Sequence, residues 1–439
     1  MVAQPSGLET QHLLFYRLGE ARRESDALFD IVKPEALHDR PIPERHRIIF
    51  YIGHLEAFDW NLLRERLLNL PSFHPEFDRL FAFGIDPVST GLPMDGPSDW
   101  PSLAEVRRYV ERVRRALDGV LDAAMADAQS REFPPELLLN VAIEHRLMHA
   151  ETLAYMLHQL PLDCKVRGMR DTEPLAPRAT PAMVEVPAGP VTLGLRREAS
   201  RFGWDNEYEE QTTSVPAFVV DKHKVTNGEY LEFVTAGGYQ ERSLWTDAGW
   251  HWIGNTGVAH PGFWRRDSER WLLRTMFDEI PLPLDGPVYV SQAEASAYAR
   301  WAGKSLLSEA QWQRAAWARP DGAERSGAAA APVLREGNFD FRRWDPMPVG
   351  ADPAGPSALG VRGMVGNGWE WTSSLFAPFP GFEPFPFYRG YSADFFDNQH
   401  YVMKGGSART AACLLRPSFR NWFQPHYRYV YAGFRCVKN

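Results

Sequence analysis

The chain is 439 residues long, 44% apolar, and carries a formal net charge of −8. Its length points to two domains. An acidic balance without any basic run excludes a general nucleic-acid binder, which needs clustered Lys and Arg for phosphates. Cys164, Cys413 and Cys436 show no CxxC spacing, which argues against a disulfide scaffold and a thiolate zinc site and suits a reducing cytosol. No apolar stretch reaches the roughly 18 residues of a membrane span. The N-terminus lacks a basic region followed by an apolar run, so a soluble, cytoplasmic protein with no membrane or nucleic-acid partner is expected.

Four amphipathic helices are predicted over 8–31, 44–70, 101–128 and 135–160, where apolar residues recur at helical spacing. Pro41 and Pro43 precede the second, and Pro134 and Pro135 open the fourth, where a first turn tolerates proline. Together they predict a four-helix bundle over 1–160, with one longer connection over 71–100. From 161 to 182 periodicity is lost while Pro and charge rise, which marks a linker.

Residues 183–439 have a different texture. The chain holds 15 Trp, 26 Phe and 15 Tyr, and an aromatic-, Gly- and Pro-rich second half suggests loops around short strands. Residues 184–194 read as strand, turn and strand; 211–238 read as a strand followed by a capped helix with Thr226 or Asn227 at its N-cap. Ser291 and Ser308 are placed to cap two more short helices. Low complexity is confined to 322–332, expected to be a surface loop. The fold class is therefore α+β.

Within the fourth helix, EHRLMHAETLAYM puts His145 and His149 one turn apart on one face. Alone, such a pair is more often two solvated or hydrogen-bonded histidines. A third, His54 in GHLEAFDWN of the second helix, makes a metal site the better reading. Three neutral imidazoles from two helices can hold one face of a first-row metal and leave positions open for substrate and O2.

Seven segments carry a resemblance: FGWDNE (202–207), VTNGEYLEF (225–233), GNFDFRRWDPMPVG (337–350), VGNGWEWTSS (365–374), MKGGS (403–407), RPSFRNWF (416–423) and AGFRC (432–436). They resemble the sulfatase-modifying-factor, or formylglycine-generating-enzyme-like, domain, a C-type-lectin-like fold. The helices bearing GHLEAFDWN and HRLMH resemble a DinB-like domain. The combination is similar to the ergothioneine-type sulfoxide synthases, non-haem iron enzymes that join a chalcogen to the imidazole C2 of hercynine.

The resemblance implies Fe(II) on His54, His145 and His149, with O2 as co-substrate. In FYRGYSADFFD it implies that Tyr388 supplies a proton or hydrogen atom to activated oxygen, and that Tyr391 orients substrate. A phenol can do either chemistry, although both residues also read as ordinary core or rim aromatics. In RNW it implies that Asn421 and Trp422, beside Arg420 and Phe423, hold the trimethylammonium betaine. A quaternary ammonium has no proton to donate, so aromatic faces and oriented dipoles must recognise it. Trp369, Glu370 and Trp371 resemble a stretch shared across the fold and are expected to be scaffold.

Three departures from the family pattern bear on substrate. Met148 stands where many members place a glutamine against the hercynine imidazole. Residues 86–102, DPVSTGLPMDGPSDWPS, contain no Arg or Lys, and Phe423 follows Asn-Trp where members using γ-glutamylcysteine place Asp. A dicarboxylate donor would leave negative charge unpaired there. GGSARTAACLLR offers Cys413 alone, not the cysteine pair of formylglycine-generating enzymes. An uncharged donor follows, and residues 385–435 resemble the selenoneine synthase branch, whose donor is a selenosugar. Asp397, Asn398, Gln399, His400, Gln424 and His426 are unranked candidates to bind it. The alternatives are an ergothioneine synthase using cysteine or γ-glutamylcysteine, and a non-catalytic ligand-binding module of the same fold.

Overall fold

The computed structural model describes residues 7–82, 94–121, 132–168, 171, 179–198, 201–319, 336–351 and 353–438. Parts of the predicted third helix (122–128), of the cation-free stretch (86–93) and the whole low-complexity segment lie outside them. The chain divides into two compact units, 1–168 and 169–439.

The first unit is helical: α1 Gly7–Phe29, α2 Ile48–Leu63, α3 Pro75–Leu80, α4 Leu103–Asp118 and α5 Pro135–Gln159. Ser102 caps α4 through a reciprocal bond with Glu105, satisfying two end donors at once. The buried face of α4 is Val106, Tyr109, Val113 and Leu117, the spacing of one helical stripe. α1 packs on α5, and α2 packs on both α4 and α5. α2 and α5 are buried almost all round, so these two helices form the centre of the unit. α3 is a short helix within the predicted connection, started by Pro75 and capped by the His74 ring.

Charges lock the helices together. Buried Arg146 on α5 pairs with Asp59 at 2.6 Å and Glu56 at 3.0 Å on α2. Arg114 on α4 joins Glu56 to Asp26 of α1. The first part of the predicted linker is not free chain: Leu162–Cys164 form a 3-10 turn, Lys165 bridges to Val32, and its Nζ donates to the Leu157 carbonyl at 3.1 Å. Burying that ammonium against helix-end carbonyls holds 161–165 onto the helical unit.

The second unit mixes short helices and sheets. Its strands are β1 Met183–Val186, β2 Gly189–Leu193, β3 Gln211–Val215, β4 Phe218–Asp221, β5 Trp264–Asp267, β6 Arg270–Arg274, β7 Glu279–Pro281, β8 Ser305–Leu306, β9 Trp369–Leu375, β10 Tyr401–Lys404, β11 Asn421–Phe423, β12 Ala432–Gly433 and β13 Cys436–Lys438. One sheet runs β1-β4-β13-β8 and a second β11-β10-β9-β12. Helices α6 Asn227–Thr235, α7 Asp247–Thr256, α8 Gln292–Trp301 and α9 Glu309–Trp317 are capped by Thr226, Thr246, Ser291 and Ser308. Glu370 in β9 is fully buried between Arg435 at 2.6 Å and Lys224 at 3.2 Å. Those cations hold its carboxyl below the usual range, the signature of scaffold charge. All three cysteines are free thiols.

Candidate metal centre and aromatic wall

In the first unit, His54 of α2 meets His145 and His149 of α5, and the three side chains are buried. Nε2 of His149 lies 3.3 Å from Nε2 of His54 and 3.2 Å from Nε2 of His145. Adjacent ligands on a metal with bonds near 2.1 Å sit about 3 Å apart, so these spacings fit a single ion. The Nδ1–H of His54 donates to the Phe81 carbonyl at 2.7 Å, which leaves its Nε2 lone pair for a metal.

The rings are held in place by other rings. Phe58 stacks on His145 with centroids 3.4 Å apart, and Phe50 stacks on His54 at 4.8 Å. Burial pushes the His54 imidazole down to about 4 and pushes His145 and His149 well below their ordinary value. All three are therefore neutral at pH 7, the protonation state a metal ligand needs. The donor set of three imidazole nitrogens suits a borderline transition metal.

Gly53, one residue before His54, was not legible as part of this site. A Cβ there would lie 2.6 Å from the ring of Phe81, so the glycine is what lets Phe81 reach the histidine. Met148 is half-buried on α5, next to His149, and its carbonyl accepts from Thr152 Oγ1 at 3.2 Å.

In the second unit, the structure brings Tyr388, Tyr391 and Trp422 together. Tyr391 lies 5.6 Å from Tyr388 and meets Trp422 edge-on at 5.4 Å. One face of Trp422 is covered by parallel Phe376 at 4.0 Å, and Phe395 closes in at 5.7 Å. A cation can therefore meet only the opposite face or the edges of that indole. Asn421 Oδ1 accepts from the Trp422 backbone N–H at 2.9 Å, so the amide NH2 is its remaining polar group. Phe423 stacks on Tyr427, centroids 4.9 Å apart.

Arg420 is engaged by protein groups. It is buried, forked onto Glu309 at 2.9 and 3.1 Å, donates to the Ala377 carbonyl at 3.0 Å, and lies over Phe379. Its guanidinium supports the wall from behind. Among the unranked polar residues, Asp397 and His400 pair at 3.0 Å, and His426 stacks on Trp252 at 5.2 Å. Asn398, Gln399 and Gln424 are exposed.

Both parts of the chain match known families. Residues 169–439 match the sulfatase-modifying factor enzyme 1-like domain, and residues 17–153 match the DinB superfamily. A protein of Mycolicibacterium thermoresistibile named hercynine oxygenase is 37% identical over 374 residues, covering 83% of this chain and 80% of that one. This chain belongs to the hercynine oxygenase, or ergothioneine-type sulfoxide synthase, family. A hercynine oxygenase of Mycolicibacterium smegmatis is 36% identical over 424 residues, covering 91% and 93% of the two chains. Ergothioneine biosynthesis protein 1 of Neurospora crassa is 27% identical, and the match spans 92% of this sulfoxide-synthase-family chain and 55% of the fungal protein. No helix among the described residues is long and apolar enough to cross a membrane.

Proposed function

We propose that the protein is an O2-dependent, non-haem Fe(II) enzyme that joins the selenium of a selenosugar to the imidazole C2 of hercynine, a step of selenoneine biosynthesis. The observation that carries the iron reading is the convergence of three neutral imidazole nitrogens at about 3 Å spacing in the first unit. His54, His145 and His149 would hold Fe(II), which supplies the O2-activating redox chemistry when bound. Tyr388 delivers a proton or hydrogen atom from its phenol. Tyr391 orients substrate against Trp422, and the indole offers the face away from Phe376 to the trimethylammonium group. The Asn421 amide NH2 donates to the betaine carboxylate.

An uncharged donor is supported by the engagement of the two arginines that flank Ser418 and Phe419, although Arg389 beside Tyr388 is exposed. Arg416 pairs with Glu207, and Arg420 pairs with Glu309. Phe423 and Tyr427 present apolar surface where a dicarboxylate would require charge. Met148 provides no hydrogen bond from its side chain strong enough to replace a family glutamine.

A second reading, sulfoxide synthesis from hercynine and cysteine or γ-glutamylcysteine, is favoured by the names of the relatives. One experiment separates the two. The protein is reconstituted anaerobically with Fe(II) and hercynine, then given O2 with each donor, and products are identified by mass spectrometry. A higher kcat/KM with the selenosugar is expected. A higher value with γ-glutamylcysteine would replace the selenium reading by the sulfur one.

A further inference from the structure

The segment holding Tyr388 and Tyr391 has no regular secondary structure, so something else must set its shape. It is two consecutive turns: Tyr388 N–H donates to the Phe385 carbonyl at 3.0 Å, and Tyr391 N–H donates to the Tyr388 carbonyl at 3.2 Å. Both ends of this pair of turns meet the adjacent residues Trp204 and Asp205. Ser392 Oγ–H donates to Asp205 Oδ1 at 2.6 Å, and the Phe385 ring lies 6.3 Å from that of Trp204.

Asp205 begins a buried 3-10 turn, Asp205–Glu207. Each residue of the turn and its cap reaches a different part of the wall. Trp204 stacks on Tyr391 with centroids 4.0 Å apart and planes 27° apart. The Asn206 carbonyl accepts from Arg420, and Glu207 accepts from Arg416 Nε at 2.8 Å and Ser418 Oγ at 2.6 Å. The turn thus joins the tyrosine segment to the strand that carries Asn421 and Trp422.

Glu207 and Asp205 differ in one respect that bears on purpose. Glu207 has Arg416 as a counterion, whereas among the described residues no ion pair reaches Asp205, which is fully buried. A buried acid without a counterion is a net burden on the fold. Its retention here is explained by geometry: a short acceptor side chain on this turn is what can hold Ser392.

We propose that Asp205 is the positioning residue of the Tyr388–Tyr391 segment, clamping its far end through Ser392 and so fixing where the Tyr388 hydroxyl sits. The consequence for turnover rests on the assignment of Tyr388 as hydrogen donor; the consequence for segment order does not. The residue acts through Tyr388 and Tyr391 and touches no reacting atom.

The test compares the full chain with Asp205→Ala, Asp205→Asn and Ser392→Ala. Hydrogen exchange of the 385–392 region is measured on metal-free protein, then product formed per O2 consumed is measured on the iron-loaded protein. Loss of the clamp in Asp205→Ala and Ser392→Ala should speed exchange there about tenfold, the worth of one hydrogen bond, with exchange across 135–159 and iron content unchanged. Asp205→Asn keeps an acceptor for Ser392 and should recover most of the product per O2 that Asp205→Ala loses. Parent-like exchange in 385–392 for both clamp-breaking variants would overturn the proposal, as would an Asn variant as uncoupled as the Ala one. If Asp205→Ala does not fold, Ser392→Ala, which removes only a hydroxyl, decides. Faster exchange combined with a fully productive Tyr388→Phe enzyme would refute the role of Tyr388 and leave the clamp standing.

Discussion

His54 Nδ1 and the carbonyl oxygen of Phe81 are 2.7 Å apart, and this one bond decides which nitrogen of the ring can ligate. The contact exists because Gly53 leaves room for the Phe81 ring. Gly53→Ala is expected to raise intrinsic helix propensity by about 1 kcal/mol yet weaken metal affinity at least tenfold by displacing Phe81. Competitive metal titration with Co(II) checks this. Unchanged affinity would mean that Phe81 moves without consequence for His54.

His149 is the middle nitrogen of the three, within 3.3 Å of both others. His149→Ala should abolish iron retention and turnover while helicity by circular dichroism stays at the parent value. A fully active His149→Ala protein would end the metal assignment.

Tyr388→Phe retains the ring and removes the transferable hydrogen. Iron content, hercynine affinity and O2 consumption should persist, while coupled product is lost and oxidised donor accumulates. Product at the parent rate would move the role to another group, with Tyr391 the next to test.

Arg420→Ala leaves Glu309, whose side chain is 7% exposed, with Lys404 at 4.0 Å in place of a bidentate partner. Breaking such a pair costs about 3 kcal/mol or more, a fall in Tm of roughly 6–12 °C for a unit of this size. Arg420→Met combined with Glu309→Gln should recover part of that loss, because the guanidinium and the carboxylate are then removed together. Thermal scans of the single and double variants separate a support role from ligand contact, which would leave Tm unmoved.

Burial holds the Asp205 carboxyl up at about 6, against an ordinary value of 3.8. Between those values the folded protein binds a proton that the unfolded chain releases, so this residue's contribution to stability falls as pH rises from about 4 to about 6. Asparagine does not titrate. The Tm of the parent minus that of Asp205→Asn should therefore be more positive at pH 4 than at pH 7. A difference independent of pH would show that the carboxyl titrates normally.

Local signals were legible in the sequence, and distant ones were not. Thr226, Ser291 and Ser308 cap helices where the sequence places them, because a cap is decided by residues three apart. The i,i+4 histidine pair is equally local, and His54 could be found by its residue type. α7 was missed because Gly249 and Gly254 dilute its helical pattern, and α3 because six residues carry too little periodicity. The partner of Arg420 lies 111 positions away, and Ser392 lies 187 positions from Asp205. No periodicity encodes such pairings, so the support role of Arg420 and the clamp at Asp205 appear only in the folded chain. FGWDNE drew notice as a family motif, without any sign of what it holds.

The strand that carries Asn421, Trp422 and Phe423 is the outermost of its sheet, in the order β11-β10-β9-β12. A side chain changed there disturbs one neighbouring strand instead of two, and leaves the buried Glu370–Arg435 pair untouched in β9 and beyond. Side chains there can consequently be exchanged at less cost than those of the interior strands. The three histidines sit on interior helices and Asn421 and Trp422 on a sheet margin, so a change of side chain at the margin puts little of the fold at risk.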